Sequence, residues 1–200
     1  MGVWHILEAE PFFLEQVPLQ REITHPHKRL QHLAGRWLLK ELYPEFPHGL
    51  IQIAATRKPF LANEAYHFSI SHCGDYAAAI VSTENRVGVD IELVNNKVEK
   101  IRHKFMNLAE EKLMEVYQLE ANGLNYHDLL TACWSVKETL YKWYGSGEVD
   151  FREHLHVESF HIQDNEGVAQ CLFMKEALSV RMHVRFLFFN QNCLSWVITS

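Results

Sequence analysis

Residues 66–93 read YHFSISHCGDYAAAIVSTENRVGVDIEL, and this stretch decides the class of the fold. Apolar and β-branched residues fill three short runs in it, which predicts strands over Tyr66–Ser71, Tyr76–Ser82 and Arg86–Leu93. The two joins between them are rich in Gly, Asp and Asn, residues that favour tight turns. We therefore expect these three strands to form an antiparallel meander.

Helical patterns and further strands flank this stretch on both sides. Apolar residues recur at helical spacing from Pro26 to Tyr43 and again from about Asn125 to Tyr144, and the segment between Val98 and the second of these is helical in composition. Short apolar runs predict strands at Gly2–Ala9 and Leu50–Ala54, and the tail Val157–Thr199 is again rich in strand formers. This order predicts an α+β fold with two similar halves, residues 1–94 and 95–200.

The composition of the chain excludes several classes of protein. Its 200 residues carry a formal net charge of −6, which argues against a dedicated nucleic-acid binder because such proteins need a surplus of positive charge. No apolar run is long enough to span a bilayer and the N-terminus lacks the basic region of a signal peptide, so we expect a cytoplasmic protein. The four cysteines have no zinc-finger spacing, and we expect them to be reduced.

Charged residues line one side of each long predicted helix. Lys28, His32, Arg36 and Lys40 are spaced four apart and form a single ridge on the first helix. On the second helix, Glu138 and Lys142 fall opposite the apolar stripe and form an i,i+4 pair. From periodicity alone, each of these faces can be a solvated surface, and the first can also bind an anion.

Two acids stand close together near the end of the third meander strand. Asp90 and Glu92 are two residues apart, so their carboxylates face the same side of the strand. Two like charges at this distance repel each other unless a cation lies between them, and Mg²⁺ is a hard cation that binds carboxylates together with substrate phosphates. The alternative from these residues alone is an exposed edge strand with two solvated acids.

Five motifs in the chain resemble those of one enzyme family. The segment Gly88-Val-Asp-Ile-Glu92 is followed after 41 residues by Trp134-Ser-Val-Lys-Glu-Thr-Leu-Tyr-Lys142. Upstream lie Ala34-Gly-Arg36, Arg57-Lys-Pro-Phe60, and the strand Phe68–Tyr76 that contains Ser-His. In this order and spacing the set resembles the 4′-phosphopantetheinyl transferase superfamily, in particular its surfactin-synthetase-activating (Sfp) type. The chain departs from the family at Arg57, where glycine is frequent, and at Cys73, where serine is common.

The resemblance implies a fold and a reaction. The fold has two pseudo-symmetric lobes of antiparallel sheet plus helices in one chain, with the active site in the cleft between them. The reaction transfers the 4′-phosphopantetheine arm of coenzyme A to a serine of an apo acyl or peptidyl carrier protein, and it releases adenosine 3′,5′-bisphosphate. We expect a monomer that acts on coenzyme A and a carrier protein and binds neither nucleic acid nor membranes.

The resemblance also implies roles for individual residues. The expected Mg²⁺ ligands are Asp90, Glu92 and Glu138. The expected catalytic pair is Glu138, as base for the carrier serine, and Lys142, which neutralises charge on the phosphates. The expected phosphate-binding residues are Arg36, Lys58 and His72.

Two questions stay open at this level. A non-catalytic module that binds coenzyme A or a carrier protein would have the same fold, although all the expected catalytic residues are present. The pathway of the carrier protein cannot be read from these residues. A basic stretch after the acid pair, containing Lys100 and Arg102, is a candidate docking surface for an acidic carrier, with a solvated helix as the alternative.

Overall fold

The computed structural model describes residues 1–19, 21–120 and 124–199, and it confirms the predicted α+β class. The helices are α1 Glu10–Leu14, α2 Pro26–Leu42, α3 Lys97–Phe105, α4 Leu108–Glu120 and α5 Tyr126–Tyr144. The strands are β1 Gly2–His5, β2 Ile51–Ile53, β3 Pro59–Leu61, β4 His67–Cys73, β5 Tyr76–Ser82, β6 Arg86–Leu93, β7 Leu155–Gln163, β8 Glu166–Lys175, β9 Leu178–Phe189 and β10 Asn192–Thr199. The short elements α1 and β3 were not expected from the sequence.

The strands of the described residues form three antiparallel sheets. The first has the order β1-β5-β4, the second has the order β6-β10-β9-β8-β7, and β2 and β3 form a separate pair. The predicted pairing of β4 with β5 is confirmed, but the prediction that β6 continues the same meander is wrong. Instead β6 pairs with the last strand, β10, along its whole length. The prediction failed because turn residues are a local signal, and they do not specify a partner strand that is distant in the sequence.

The crossover of β6 bears on the expected division of the chain at residue 94. Because the strand pairing of β6 lies within the five-stranded sheet, the strand that carries Asp90 and Glu92 belongs to the second sheet although it was assigned to the first half. The division into residues 1–94 and 95–200 otherwise stays a prediction.

Helix α2 packs on the three-stranded sheet and forms the core of the first half. Its apolar face buries Leu33, Ala34 and Trp37, as its spacing predicts. A side chain at Gly35 would place its Cβ only 2.5 Å from the Ile70 side chain on β4, so glycine allows the close approach of helix and strand.

Helix α5 packs on the five-stranded sheet and forms the core of the second half. Asn125 and Asp128 form a capping box at its start, and Gly145 ends it in a left-handed conformation with φ of 73°. The predicted core stripe is buried throughout: Leu129, Cys133, Val136, Leu140 and Trp143. A Cβ on Gly88 would lie 2.3 Å from the Thr139 carbonyl oxygen, so this glycine lets β6 lie directly against α5.

The two halves meet between β4, β5 and β6. Ala78 and Ile80 of β5 pack against Val87 and Val89 of β6 in a small apolar cluster. The buried Ser69 hydroxyl on β4 accepts a hydrogen bond from the Val89 amide at 3.2 Å. These contacts hold β4 beside β6, so that the end of β4 reaches the acids of β6.

Two further expectations concern the cysteines and membranes. All four cysteines are free, as expected. Of the helices in the described residues, none is both long and apolar enough to cross a membrane.

Candidate active site

The candidate site lies where β4, β6 and α5 come together. Strand β6 contributes Asp90 and Glu92, and α5 contributes Glu138 and Lys142. Since Gly88 allows α5 to lie directly against β6, the polar face of the helix is turned towards the strand and not towards solvent. This burial excludes the solvated-surface alternative for that face.

Asp90 is the most firmly held residue of the site. Its side chain is only 3% exposed, and its Oδ1 accepts hydrogen bonds from Lys142 Nζ at 2.5 Å and from Ser71 Oγ at 2.9 Å. Its other oxygen, Oδ2, accepts one from Ser135 Oγ at 2.9 Å. Lys142 also donates to Ser71 Oγ at 2.8 Å. Lys142 therefore pairs with Asp90 across the two elements, whereas its i,i+4 spacing had indicated a surface pair with Glu138.

The other two acids lie close enough to Asp90 to feel its charge. Burial, and then repulsion from Asp90, raises the pKa of Glu92 to about 7 and the pKa of Glu138 to about 7. The indole of Trp134 donates a hydrogen bond to Glu92 Oε1 at 3.0 Å. Within the described residues, the Glu138 carboxylate has no hydrogen-bond partner. The site thus holds three carboxylates against one ammonium group.

This donor set fits a divalent metal ion, although the side chains are not arranged around one. Among the described residues, no three His, Cys, Asp or Glu side chains converge closely enough to hold a metal. Carboxylates are nevertheless the ligands that Mg²⁺ prefers, and the mutual repulsion of Asp90, Glu92 and Glu138 is the cost that a dication removes. Glu138, without a hydrogen-bond partner in the described chain, is free to turn towards a cation.

Arg36 on α2 is a buried cation without a counter-charge. The residue is 5% exposed, its Nε has no hydrogen-bond partner, and no carboxylate of the described residues pairs with it. Burial, and then repulsion from Arg21, lowers the pKa of Arg36 to about 10. Its Nη1 contacts His32 Nδ1 at 3.1 Å, and His32 Nε2 is also buried without a partner. Unpaired buried donors of this kind are costly in the free protein and are suited to binding an oxyanion.

The ridge on α2 is therefore not a uniform solvated face. Burial, and then repulsion from Arg36, lowers the pKa of His32 to about 3, so this ring is neutral at pH 7. Lys28 lies exposed at one end of the ridge, while Lys40 at the other end donates to Gln16 Oε1 at 3.0 Å. The buried donors without a partner lie at the centre of the ridge, on His32 and Arg36.

Lys58 reaches from the loop between β2 and β3 to the end of α5. A Cβ on Gly145 would lie 2.3 Å from Lys58 Nζ, so the glycine at the helix end leaves the space that the Lys58 side chain fills. Burial, and then repulsion from Arg86, lowers the pKa of Lys58 to about 8. A cavity of about 180 Å³ lined by Lys58, Tyr141 and Lys142 connects this ammonium group with the Asp90 cluster.

Ser71 and His72 at the end of β4 point to opposite faces, as alternation in a strand requires. Ser71 is buried and bonded to Asp90, whereas His72 is exposed. Desolvation by the surrounding site, and then repulsion from Lys142, lowers the pKa of His72. The three predicted phosphate-binding residues thus lie on three different parts of the fold: α2, β4 and the β2–β3 loop. Lys58 borders the cavity that leads to Lys142, and His72 lies close enough to Lys142 to feel its charge.

An open groove leads away from Glu138. It has a volume of about 760 Å³ and is bordered by residues 54–56 on the first half and 145–149 on the second, with Tyr141 and Phe151 on its floor. Since Glu138 lines this groove, its carboxylate is accessible to a group presented from outside, including one carried by a macromolecule.

Several residues that support the site were not predicted. They include Trp134, which holds Glu92, and the buried hydroxyl groups of Ser135, Thr139 and Ser195. Lys137, quoted in the sequence motif without a role, is fully buried and donates to Glu110 Oε2 at 2.7 Å, to the Phe105 carbonyl at 2.5 Å and to the Phe151 carbonyl at 2.9 Å. A lysine among apolar residues in the motif was a signal for such a buried ion pair, but its partner is 27 residues away in the chain.

Comparison with protein families gives one match. Residues 86–190 match the model of the family described as the 4′-phosphopantetheinyl transferase superfamily. The matched region begins at β6 and includes α5, and so covers the acid strand and the helix that carries Glu138 and Lys142.

Individual proteins agree with this match. The chain is 32% identical over 146 residues to enterobactin synthase component D of Escherichia coli, with 69% of this chain and 68% of that protein covered. It is 29% identical over 138 residues to a putative 4′-phosphopantetheinyl transferase of Haemophilus influenzae, with 66% of this chain and 56% of that protein covered. It is 27% identical over 130 residues to the human L-aminoadipate-semialdehyde dehydrogenase-phosphopantetheinyl transferase, with 58% of this chain and 42% of that protein covered. The matched region thus spans little more than half of the Haemophilus protein and less than half of the human one.

Proposed function

The chain belongs to the 4′-phosphopantetheinyl transferase superfamily, and we propose that it transfers the 4′-phosphopantetheine arm of coenzyme A to a serine of an apo carrier protein. The observation that carries this proposal is the cluster of three acids, one lysine and one serine at the junction of β4, β6 and α5, with Lys58 on the cavity that leads to it. Phosphoryl transfer depends mainly on positioning and on neutralising charge, and this cluster offers groups for both.

We assign the chain to the Sfp type within the superfamily. The support is the ordered set of motifs between Ala34 and Lys142, which lies on both halves of a single chain. The relatives named as transferases or as enterobactin synthase component D match more than half of this chain in each case.

The phosphates of coenzyme A would be bound by Arg36, Lys58 and His72. Arg36 offers a buried guanidinium whose Nε has no partner, and such a group gains a charge-assisted hydrogen bond when a phosphate oxygen arrives. Lys58 borders the cavity that leads to Lys142, so the pyrophosphate can extend between these two ammonium groups. His72 is exposed at the end of β4 and can donate to the same anion from the other side.

Asp90, Glu92 and Glu138 would hold Mg²⁺. When bound, the metal supplies charge neutralisation of the pyrophosphate and of the leaving phosphate. The chain itself prepares these ligands: Ser71 and Ser135 orient Asp90, and Trp134 orients Glu92.

Glu138 is the proposed general base. The carrier serine would enter along the groove beside Glu138 and give its proton to that carboxylate while its oxygen attacks the β-phosphorus of coenzyme A. The bond from this phosphorus to the bridging oxygen breaks, and adenosine 3′,5′-bisphosphate leaves with the electron pair. Lys142, which lies beside Asp90, is placed to neutralise charge on the phosphates during this step.

We retain a monomer in the cytoplasm as part of the proposal, together with a carrier of the acyl or peptidyl type.

The proposal is tested by incubating the protein with coenzyme A, Mg²⁺ and a panel of apo carrier proteins. Intact-mass spectrometry should show the gain of one phosphopantetheine group on at least one carrier. The matched control is the same carrier with its acceptor serine replaced by alanine, which should gain nothing. Binding of coenzyme A without mass gain on any member of a panel of fatty-acid, polyketide and peptide-synthetase carriers would instead favour a non-catalytic binding module.

A further inference from the structure

A row of buried hydroxyl groups, the hydroxyl row, runs from the last strand, β10, to Asp90. Ser135 Oγ donates to Asp90 Oδ2 at 2.9 Å and lies 2.8 Å from Ser195 Oγ. Ser195 Oγ lies 2.6 Å from Thr139 Oγ1. Ser135, Thr139 and Ser195 are completely buried, so no solvent competes for these contacts.

Each hydroxyl group has a single hydrogen, and this decides which oxygen is the donor in each contact of the hydroxyl row. A carboxylate only accepts hydrogen bonds, so the single hydroxyl hydrogen of Ser135 is used on Asp90. In its contact with Ser135, Ser195 must therefore be the donor, and this uses the hydrogen of Ser195. In its contact with Ser195 Oγ, Thr139 must then be the donor, and its hydrogen is shared between Ser195 Oγ at 2.6 Å and the Ser195 carbonyl oxygen at 3.2 Å. Ser195 and Ser135 thus direct their hydrogens along the row towards Asp90.

We propose that Ser195, supported by Thr139, is a positioning residue that aims the Ser135 hydroxyl at Asp90 Oδ2. This inference rests on the proposed function, since it concerns a carboxylate assigned there as a metal ligand. Ser195 lies directly opposite Asp90 in the pairing of β10 with β6, so the fold brings the two together across the strands. The hydrogen bond from Ser195 fills a lone pair of Ser135 and so keeps its hydroxyl from rotating away from Asp90.

The contacts of the other oxygen of Asp90, Oδ1, explain why the orientation of Ser135 affects the carboxylate. Oδ1 is held by Ser71 and Lys142, but Lys142 must also serve the phosphates in the proposed reaction. The plane of the carboxylate is then fixed by Ser71 on one side and by the hydroxyl row on the other. Partners that orient a metal ligand in this way typically contribute 10–100-fold to metal affinity.

The test measures Mn²⁺ as a spectroscopic substitute for Mg²⁺, by electron paramagnetic resonance, in the presence of coenzyme A and without carrier protein. Replacing the direct partner, Ser135→Ala, should weaken Mn²⁺ binding on the order of tenfold. Ser195→Ala should weaken it by a smaller factor. Thr139→Val should act in the same direction, and Thr139→Ser, which keeps the hydroxyl, should restore the wild-type affinity.

The decisive comparison is the double variant Ser135→Ala/Ser195→Ala. If Ser195 acts through Ser135, the second substitution adds no further loss of Mn²⁺ affinity in the Ser135→Ala background. The matched control is Ser69→Ala, which removes another buried hydroxyl next to β6 that bonds only to the Val89 backbone. It should lower the melting temperature but leave Mn²⁺ affinity unchanged.

The outcomes separate the inference from the proposed function. The inference alone is overturned if Ser195→Ala binds Mn²⁺ as tightly as wild type. It is also overturned if Ser195→Ala lowers the Mn²⁺ affinity by the same factor in wild type and in the Ser135→Ala variant. Absence of Mn²⁺ binding in the wild type overturns the assignment of the metal ligands and the inference with it. Should Ser195→Ala fail to fold, the pair Thr139→Val and Thr139→Ser gives the same decision.

Discussion

Replacing Glu138 by glutamine should remove a pH-dependent loss of stability in the metal-free protein. In the folded chain the pKa of Glu138 is raised from 4.5 to about 7, chiefly by burial and then by the charge of Asp90. Below pH 4.5 the group is protonated in both states and contributes nothing. As the pH rises from 4.5 to 7, the unfolded chain releases its proton first, so the folded state becomes progressively less stable until the full cost is reached above pH 7.

The size of this effect follows from the shift. A rise in the pKa from 4.5 to about 7 corresponds to a cost of about 3 kcal/mol above pH 7, most of which develops between pH 5 and pH 8. Glutamine has nearly the same shape and no charge. The free energy of unfolding of Glu138→Gln, relative to wild type, should therefore improve by about 2 kcal/mol between these two pH values.

The assay is urea unfolding of both proteins at pH 5 and pH 8 with chelator present. Comparing the two proteins at each pH cancels the titration of His32 and His48, whose lowered pKa values have the opposite effect on stability. A difference between the proteins that does not change with pH would refute the raised pKa of Glu138, and with it the view that its buried charge is unfavourable in the free protein. Excess Mg²⁺ with coenzyme A should stabilise wild type more than the variant.

Three further predictions concern other parts of the molecule. Arg36→Met should raise the melting temperature of the free protein, because it removes a buried unpaired charge. It should also weaken the binding of coenzyme A, measured by calorimetry, by roughly 1–3 kcal/mol. Unchanged affinity for coenzyme A would remove Arg36 from the phosphate site. Lys137→Met should cost roughly 3–5 kcal/mol of unfolding free energy because it leaves the buried carboxylate of Glu110 without a counter-charge; a loss below about 1 kcal/mol would contradict it. The double substitution Lys100→Glu with Arg102→Glu, on the exposed side of α3, should raise the KM for an acidic carrier at low salt and raise it less at high salt. The affinity for coenzyme A should not change. Carrier kinetics equal to those of wild type at every salt concentration would show that this side of α3 is only a solvated surface.

The fold class and the order of the main elements could be predicted because they depend on local patterns. The buried stripe of α5 is visible in its spacing, and its ends are marked by Asn125 and Gly145. The partner of β6 could not be predicted, since it is a strand about a hundred residues away and the intervening turn does not select it. Short elements such as β3 have too few residues for a pattern to develop.

The candidate site was predictable in its charged residues but not in its supporting contacts. The motifs drew attention to Asp90, Glu138 and Lys142, and the structure brings these together. The sequence did not show that Lys142 would bond to Asp90, because the i,i+4 rule considers one helix alone. The sequence did not show the burial of Asp90 either. Three donors bond to this carboxylate, and Asp90→Ala would leave them unpaired and destabilise the fold.

The supporting hydroxyl row was invisible for a related reason. Ser195 is an ordinary serine in a strand, and only the pairing of β10 with β6 places it opposite Asp90. No spacing rule links residues that meet through two non-local contacts.

The central claim is that the acids at the junction of β6 and α5 carry out transfer of the phosphopantetheine arm. It is tested most directly by following one apo carrier protein by intact-mass spectrometry with wild type and with Glu138→Gln, which differ by one carboxylate and for which the unfolding assay reports whether the variant folds. Wild type should convert the carrier and release one adenosine 3′,5′-bisphosphate per group transferred, Glu138→Gln should be slower by a factor of at least 10²–10³, and chelator should stop both. Undiminished transfer by folded Glu138→Gln would contradict the account.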